Sequence, residues 1–178
     1  MNCKGLTIIA ERCGNMSNKK NTIFTCGYGN NKPEAFLARL KDARITHVLD
    51  VRRKESSARL FVYRWGKPIH DWLECAGIDY TNEAGLYGNY FKQDVNFRDY
   101  STHLKSQKIA RHLAHDLMSA VYPEDAKLCL VCCEKKPFQE REISNAVYAI
   151  PNCHRVILAE AVIVELKPFN EEWEVVHL

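Results

Sequence analysis

The chain has 178 residues, 46% of them hydrophobic, and a formal net charge of +3 at pH 7. This length predicts one domain whose core can form without disulfides or a structural metal ion. No apolar run approaches the roughly 18 residues of a membrane span, and residues 1–10 carry too short an apolar core for a signal peptide. We therefore expect a cytoplasmic protein whose eight cysteines are buried or reactive thiols and not a disulfide framework.

The positive charge is concentrated between Arg39 and Lys67, where nine Lys or Arg stand against three Asp or Glu. The remainder of the chain therefore carries about three net negative charges. This asymmetry indicates an anionic partner over one region, although a solvated helix face explains part of it.

Residues 1–21 mix Gly, Asn, Ser and Lys without sustained periodicity, which indicates an irregular lead-in to a single domain at residues 22–178. In that domain, apolar runs of strand length alternate with segments of helical spacing. In chain order we expect a strand at 22–26, a helix opened by Pro33, a strand at 45–51, a helix around 69–76, a short extended stretch at 78–80, one long helix at 100–122, a strand at 128–133, helices at 139–149 and 153–166, and a last strand at 173–177.

This alternation predicts a three-layer α/β/α domain with a mainly parallel sheet of about five strands. The run from Leu128 to Cys133 has the length of a strand buried on both faces. Such a strand delivers its last residues to the edge at which open α/β sheets bind ligands. We expect Gly27, Arg52 and Cys132 to gather at that edge. In the helix at 153–166, we expect Ile157, Ala161 and Val164 to face the core.

The segment from Arg52 to Gly66 is basic and aromatic without clean periodicity, and we interpret it as a long functional loop. Its cations alternate with rings that can stack on bases. The residues concerned are Arg52, Arg53, Phe61, Arg59, Tyr63, Arg64 and Trp65.

Several short motifs, in this order along the chain, resemble those of the domain-of-unknown-function family numbered 488. The motifs are Thr25-Cys26-Gly27-Tyr28-Gly29, Asp50-Val51-Arg52, Gly77-Ile78-Asp79-Tyr80, Leu86-Tyr87-Gly88, Cys132-Cys133-Glu134-Lys135-Lys136-Pro137, Cys153-His154-Arg155 and Val176-His177. The resemblance implies a three-layer α/β domain with a pocket built from these motifs. It implies no particular reaction, because the reaction of the family is not established.

The sequence departs from the family pattern between Cys132 and Cys153, which lie 21 positions apart. In the family, a short Pro-containing loop joins the two halves of the site. Either an extra helix is inserted here and the halves still meet, or Glu140-Arg141-Glu142 occupies the place of Cys-His-Arg and the site is degraded. We favour the insertion, because the helix and strand that the family shows next follow Cys153.

The candidate catalytic residues are Cys132, Glu134, Cys153, His154 and Arg155. A helix start and two basic neighbours would favour the thiolate of Cys153, which makes it a candidate nucleophile. Glu134 is a candidate for proton transfer or for binding a ligand amine. The competing interpretation is a half-buried thiol beside residues that cap local carbonyls.

The candidate ligand-binding residues combine a glycine turn, basic side chains and aromatic walls. Gly27 and Gly29 permit close backbone approach to an anion before a helix, and Arg52 suits a phosphate or carboxylate that Asp50 helps to orient. A structural salt bridge between Asp50 and Arg52 is the alternative. The full set is Gly27, Tyr28, Gly29, Asp50, Arg52, Arg59, Arg64, Tyr80, Tyr87 and Gly88.

The sequence indicates no cofactor. A zinc site made from Cys132, Cys133, Cys153 and His154 is disfavoured, because adjacent residues rarely both bind one tetrahedral ion. The oligomeric state does not follow from the sequence.

Three functions remain open at this point. The first is an enzyme that uses Cys153 on a phosphate-bearing substrate, such as a nucleotide or a nucleic-acid base. The second is a non-catalytic domain that binds nucleotides or nucleic acid through the Arg52 to Trp65 segment. The third is a thiol redox sensor, which requires Cys132 and Cys153 to approach within disulfide reach.

Overall fold

A computed structural model of the chain describes residues 21–29, 31–52, 66–82, 102–105, 108–119, 121–123, 125–132, 138–143, 146–151, 153–169 and 172–178, with only the backbone for 139–151. The predicted lead-in lies outside these residues except for Asn21, which begins the first strand. The elements are β1 (Asn21–Gly27), α1 (Pro33–Asp42), β2 (His47–Asp50), α2 (Ile69–Glu74), β3 (Asp79–Asn82), α3 (Ile109–Met118), β4 (Leu128–Cys132), β5 (Phe138–Ile143), β6 (Ala146–Pro151), α4 (His154–Leu166), a 3-10 turn (Lys167–Phe169) and β7 (Trp173–His177).

Five of the strands form one parallel sheet in the order β3-β2-β4-β1-β7. Every residue of β4 is buried, as the continuous apolar run predicted for a central parallel strand. The predicted fold class, a single α/β domain with a mainly parallel sheet of about five strands, is therefore confirmed.

The two faces of the sheet carry separate cores because successive side chains of a strand point in opposite directions. Leu130 and Cys132 pack with residues of α3 and α4. Cys129 and Val131 pack with residues of α1 and α2. The molecule thus has three layers, and its cysteines on β4 are divided between the two faces.

The segment predicted as a helix at 139–149 is instead an antiparallel hairpin of β5 and β6, so that prediction was wrong. The last paired residues of the hairpin are Ile143 and Ala146, and the two residues between them are Ser and Asn. Both residue types favour turns, and the run after them is rich in Val, Tyr and Ile, which favour strands. Those two signals outweigh the helical spacing on which the prediction depended.

The single long helix predicted at 100–122 was also wrong. The structure has a helical turn at 102–105 and a helix that begins only at Ile109, after Lys108 in a left-handed conformation with φ of 54°. A left-handed residue cannot continue a right-handed helix. The longest helix among the described residues is α4, with 13 residues.

The predicted inward face of α4 was wrong in part. Val164 is 60% exposed, whereas Val156, Ala159 and Val162 are fully buried. Because α4 is apolar on nearly every side, its sequence offers no single stripe from which the buried face can be chosen. Every helix in the described part of the chain is too short or too polar to cross a membrane.

Candidate functional site

Two cysteines meet at the carboxyl edge of the sheet, on the face covered by α3 and α4. Cys132 is the last residue of β4, and Cys153 is the N-cap of α4. The structure pairs their sulfur atoms, with Cα atoms 7.7 Å apart, and both side chains are at most 1% exposed. The two halves of the predicted site therefore meet, as the first alternative required, although the segment between them is the β5-β6 hairpin and not the extra helix that this alternative expected.

Arg155 brings a cation to this cysteine pair. Its Nη1 atom lies 2.9 Å from Cys132 Sγ and 3.1 Å from Cys153 Sγ, so the two hydrogens of one nitrogen serve both sulfurs. The guanidinium is 1% exposed. A buried cation is stabilised by partners that carry negative charge, and a thiolate is such a partner. When the pair is reduced, the same contact would favour a thiolate at these sulfurs.

The ring of His154 is held by the backbone of the neighbouring strand end. Its Nε2 atom lies 2.7 Å from the carbonyl oxygen of Val51, and since a carbonyl only accepts, Nε2 is the donor. In a neutral ring, Nδ1 then carries the lone pair, and it lies 4.0 Å from Cys153 Sγ. The ring therefore presents a base or a metal ligand towards the sulfurs.

Adjacent side chains at 153 and 154 converge because the backbone changes conformation between them. Cys153 is extended, with φ of −154° and ψ of 141°, and His154 begins the helix. Side chains of neighbouring residues in one continuous strand would point to opposite faces. The helix start is thus what places a thiol and an imidazole on the same side.

Two further residues at this edge, Thr25 and His177, belong to motifs of the family resemblance but were not among the candidate site residues. Thr25 Oγ1 lies 2.6 Å from His177 Nδ1, and the His177 ring packs edge-on against Phe138 at 5.0 Å. Burial, together with the positive charge of Arg155, lowers the pKa of His177. The parallel pairing of β7 with β1, which places the ends of both strands at one edge, was the available signal.

Arg52 lies in a different cluster, on the face covered by α1 and α2. Its Nε atom donates to Asp50 Oδ1 at 2.7 Å, and its Nη2 atom pairs with Asp50 Oδ2. Its guanidinium also lies over the ring of Tyr28, 4.9 Å from the centroid. Asp50 is fully buried and Arg52 is 2% exposed. This geometry is that of the structural salt bridge, the alternative to a phosphate-binding Arg52.

Tyr80 completes the Arg52 cluster. Its hydroxyl donates to Asp50 Oδ2 at 2.8 Å and accepts a hydrogen bond from Asn82 Nδ2 at 3.2 Å. Burial, reinforced by the Asp50 carboxylate, raises the pKa of Tyr80. Burial alone would lower the pKa of Arg52, but the hydrogen bonds and charge of Asp50 outweigh it and raise that pKa. Asp50 therefore bonds both the buried Arg52 and the half-buried Tyr80.

The predicted glycine turn lies between these clusters. Gly27 is the last residue of β1 and pairs in register with Cys132, and its carbonyl accepts a hydrogen bond from Arg39 at 2.8 Å. Gly29 has the positive φ, 50°, that favours glycine. Tyr28 is 4% exposed, and its amide donates to the carbonyl of Cys132. The turn thus fastens β1 to the end of β4.

The structure brings Gly27, Arg52 and Cys132 to one edge of the sheet, but it places the Arg52 guanidinium and the cysteine pair on opposite faces. A ligand shared by Arg52 and Cys153 would have to reach around that edge. The remaining predicted site residues lie outside the described residues. They are Arg59, Arg64, Tyr87, Gly88 and Glu134.

The other described cysteines have different surroundings. Cys26 and Cys129 are fully buried in the core under α1 and α2, and burial raises the pKa of both thiols. Cys75 is exposed, 3.7 Å from the Nζ atom of Lys67. The cysteine pair thus differs from the buried thiols on the other face in its direct contact with a guanidinium.

Comparison with known proteins identifies a family but no function. No match was found among curated proteins or among solved structures. Residues 32–162, well over half of the chain, match the family described as Domain of unknown function DUF488. That range includes Asp50, Arg52, Cys132 and the Cys153-His154-Arg155 motif, whereas the motifs at 25–29 and 176–177 lie outside it. The chain therefore belongs to the DUF488 family.

Proposed function

We propose that the protein is a thiol redox protein in which Cys132 and Cys153 cycle between a dithiol and a disulfide. The observation that carries the proposal is the contact between the two sulfur atoms, across 21 positions of sequence. The contact of the two sulfurs supports the redox alternative, which requires the two cysteines to approach each other, although their Cα atoms lie farther apart than in ordinary disulfides.

The surroundings of the pair support the direction of the chemistry. Arg155 favours a thiolate, which is the form that reacts with peroxides and disulfides. Cys153 also lies at the N-terminus of α4, where the helix dipole favours negative charge. We therefore assign Cys153 as the sulfur that is oxidised first and Cys132 as the sulfur that resolves it.

The oxidant in this proposal is a peroxide, and the step balances as follows. The Cys153 thiolate attacks one peroxide oxygen, the O–O bond breaks, and a sulfenic acid and hydroxide form. The sulfur of Cys132 then attacks the sulfenic sulfur and the S–O bond breaks, which releases a second hydroxide. Protons convert both hydroxides to water, and two electrons pass from the sulfurs to the peroxide. A reducing dithiol restores the pair by exchange and is itself oxidised to a disulfide.

Burial restricts which molecules can react. Both thiols are at most 1% exposed, so a peroxide reaches them more easily than a large substrate does. The separation of their Cα atoms, 7.7 Å, exceeds the range of about 4.4–6.8 Å of ordinary disulfides. Oxidation would therefore draw the end of β4 and the start of α4 together, which couples the redox state to the shape of this edge.

The test is mild oxidation of the reduced full-length protein, followed by alkylation and mass spectrometry. We expect a crosslinked pair of peptides that contain Cys132 and Cys153, which dithiothreitol reverses. Cys129, equally buried, and Cys75, exposed, are internal controls that should remain alkylatable. In Cys132→Ser, a sulfenic acid trapped on Cys153 by dimedone is expected. Absence of the crosslink, or equal oxidation of the control cysteines, would refute the proposal.

A second candidate function is an enzyme with Cys153 as nucleophile. It is favoured because both Arg155 and His154 lie next to the sulfur of Cys153. The burial of Cys153 counts against a large substrate such as nucleic acid. Binding of phosphates by Arg59 and Arg64 remains a prediction. It is tested by titration of fluorescent single-stranded RNA at two salt concentrations, since binding through phosphates weakens as salt rises.

A further inference from the structure

We infer that the sulfurs of Cys132 and Cys153 and the Nδ1 atom of His154 bind one zinc ion when both thiols are reduced. These three ligand atoms lie within 4.8 Å of one another, and all three residues are buried. Thiolates and imidazole are the ligands that zinc prefers in proteins. The binding itself is independent of the redox proposal, whereas its regulatory consequence rests on that proposed function.

The arrangement of His154 is the second observation that supports an ion. Metal-binding histidines commonly donate their other ring N–H to a backbone carbonyl or a carboxylate, which fixes the ring and its tautomer. His154 does this through Nε2, which lies 2.7 Å from the carbonyl oxygen of Val51. Its Nδ1 atom is thereby directed towards Cys153 Sγ. The side chain is preorganised as a ligand before any ion binds.

The distances suit a tetrahedral ion after a small movement. With ordinary bond lengths, two sulfurs bound to one zinc lie about 3.8 Å apart, and a sulfur and a nitrogen about 3.6 Å apart. Cys153 Sγ and His154 Nδ1 are already 4.0 Å apart. The sulfurs must separate, and the Cα atoms of the pair, at 7.7 Å, are farther apart than in ordinary disulfides. The backbone thus leaves room for an ion between them.

The helix start answers the objection that adjacent residues rarely bind the same ion. Cys153 is extended and His154 is helical, so their side chains converge. Two thiolates also neutralise the charge of the ion, and Arg155 can keep donating to ion-bound sulfurs, as outer partners of metal ligands do. Three protein ligands leave a fourth position for water.

A zinc ion held in this way would change the reactivity of the pair. Sulfur bound to zinc cannot form the Cys132–Cys153 disulfide without release of the ion. Zinc binding and oxidation would therefore exclude each other, and peroxide would release the metal. This makes the cysteine pair a site at which metal supply regulates redox chemistry.

The experiment uses the reduced, metal-free full-length protein and cobalt(II) as the spectroscopic probe. We expect one equivalent of cobalt to give sulfur-to-metal charge-transfer bands and the visible bands of a tetrahedral site, and zinc to displace it. Cys132→Ser and Cys153→Ser should each weaken binding by at least about 100-fold, since loss of even outer partners costs about 10- to 100-fold. His154→Gln should weaken binding in the same direction. The matched control Cys75→Ser should bind as the wild type does.

A second measurement keeps the inference testable if a variant fails to fold. In the wild type, zinc should protect Cys132 and Cys153, but not Cys75, from alkylation. Absence of the cobalt bands, or unchanged affinity in both serine variants, would overturn the inference. Crosslinking by peroxide is measured without metal, so the redox proposal and the zinc site can fail separately.

Discussion

Two buried guanidinium groups lie at the carboxyl edge of the sheet, on opposite faces, and they differ in what they contact. Arg52 pairs with the carboxylate of Asp50, and Arg155 donates to the sulfurs of Cys132 and Cys153. Both arginines are at most 2% exposed. The neighbours of each cation, and not its burial, decide what that face of the edge can do.

A carboxylate and a thiolate are different partners for a cation. Mild oxidation does not alter a carboxylate, and Asp50 accepts hydrogen bonds from both Arg52 and Tyr80, so the Arg52 pair is a constant part of the fold. A thiolate can be protonated, oxidised or bound to a metal. The negative charge beside Arg155 therefore depends on protonation, oxidation and metal binding, as is common at reactive sites. The following predictions test that difference, from the largest expected effect to the smallest.

Asp50→Asn should give the largest loss of stability. It keeps the shape of the side chain but leaves the buried Arg52 cation without its carboxylate, which costs about 3–5 kcal/mol when one partner of a buried pair is removed. Urea denaturation measures the change in the free energy of unfolding. The control Asp79→Asn removes the contact of His47 with the carboxylate of Asp79, whose side chain is 78% exposed, and should cost at most about 1 kcal/mol. Equal losses in the two variants would show that the Asp50 pair is not structural.

Tyr80→Phe should destabilise less, because it removes one hydrogen bond and no charge. A hydrogen bond to a charged group contributes about 1.5–3 kcal/mol, and the Tyr80 hydroxyl donates to Asp50 at 2.8 Å. A double-mutant cycle sharpens the test. In the Asp50→Asn background the cost of Tyr80→Phe should shrink, whereas additive costs would show that the hydroxyl acts elsewhere.

Much of this contrast was visible in the sequence, because alternation along a strand separates the two faces. The apolar run at 128–133 predicted the central strand, which the structure shows as Leu128–Cys132, and Cys132 was expected at the carboxyl edge, where it lies. The Asp50-Val51-Arg52 motif also suggested the salt bridge as one of two interpretations. Local patterns therefore predicted the sheet and the chemical groups at its edge.

The parts that the sequence did not predict depend on contacts between distant residues. Nothing in the spacing of Arg52 and Cys153 showed that their side chains would lie on opposite faces. The hairpin at 138–151 was mistaken for a helix because the spacing of apolar residues in so short a segment fits either structure. The pairing of β5 with β6, which decides between them, is not visible in local spacing. Likewise, Thr25 and His177 are 152 positions apart in the chain, and they meet only because β1 and β7 are neighbours in the sheet.

Arg155→Met should slow the oxidation of the cysteine pair. Loss of one charge-assisted hydrogen bond to a thiolate costs about 1.5 kcal/mol, or about a tenfold lower rate. The rate of Cys132–Cys153 crosslinking at a fixed peroxide concentration measures the effect. Arg155→Lys keeps a positive charge without the planar guanidinium and should fall between the wild type and Arg155→Met.

Circular dichroism must first establish that both Arg155 variants are folded. A folded Arg155→Met that oxidises at the wild-type rate would show that Arg155 has only a structural role. It would also remove the difference between the two guanidinium groups. The Asp50→Asn variant is the control for the other guanidinium group. Under conditions in which this variant is folded, its Cys132–Cys153 crosslinking rate should equal that of the wild type.

His177 should give the smallest effect, a change in the pH dependence of stability. Burial and the charge of Arg155 lower its pKa in the folded state below the ordinary value of about 6.5. The unfolded chain therefore binds a proton first as pH falls, so the contribution of neutral His177 is complete above about pH 6.5 and is lost below it. In His177→Gln, the melting temperature should fall less between pH 7.5 and about pH 5.5 than in the wild type. The matched control is His115→Gln, which removes an imidazole from a side chain that is 80% exposed. If the melting temperature of His177→Gln depends on pH as that of the wild type does, the charge of Arg155 does not influence the titration of His177. The effect of that charge is then confined to the two sulfurs that Arg155 contacts.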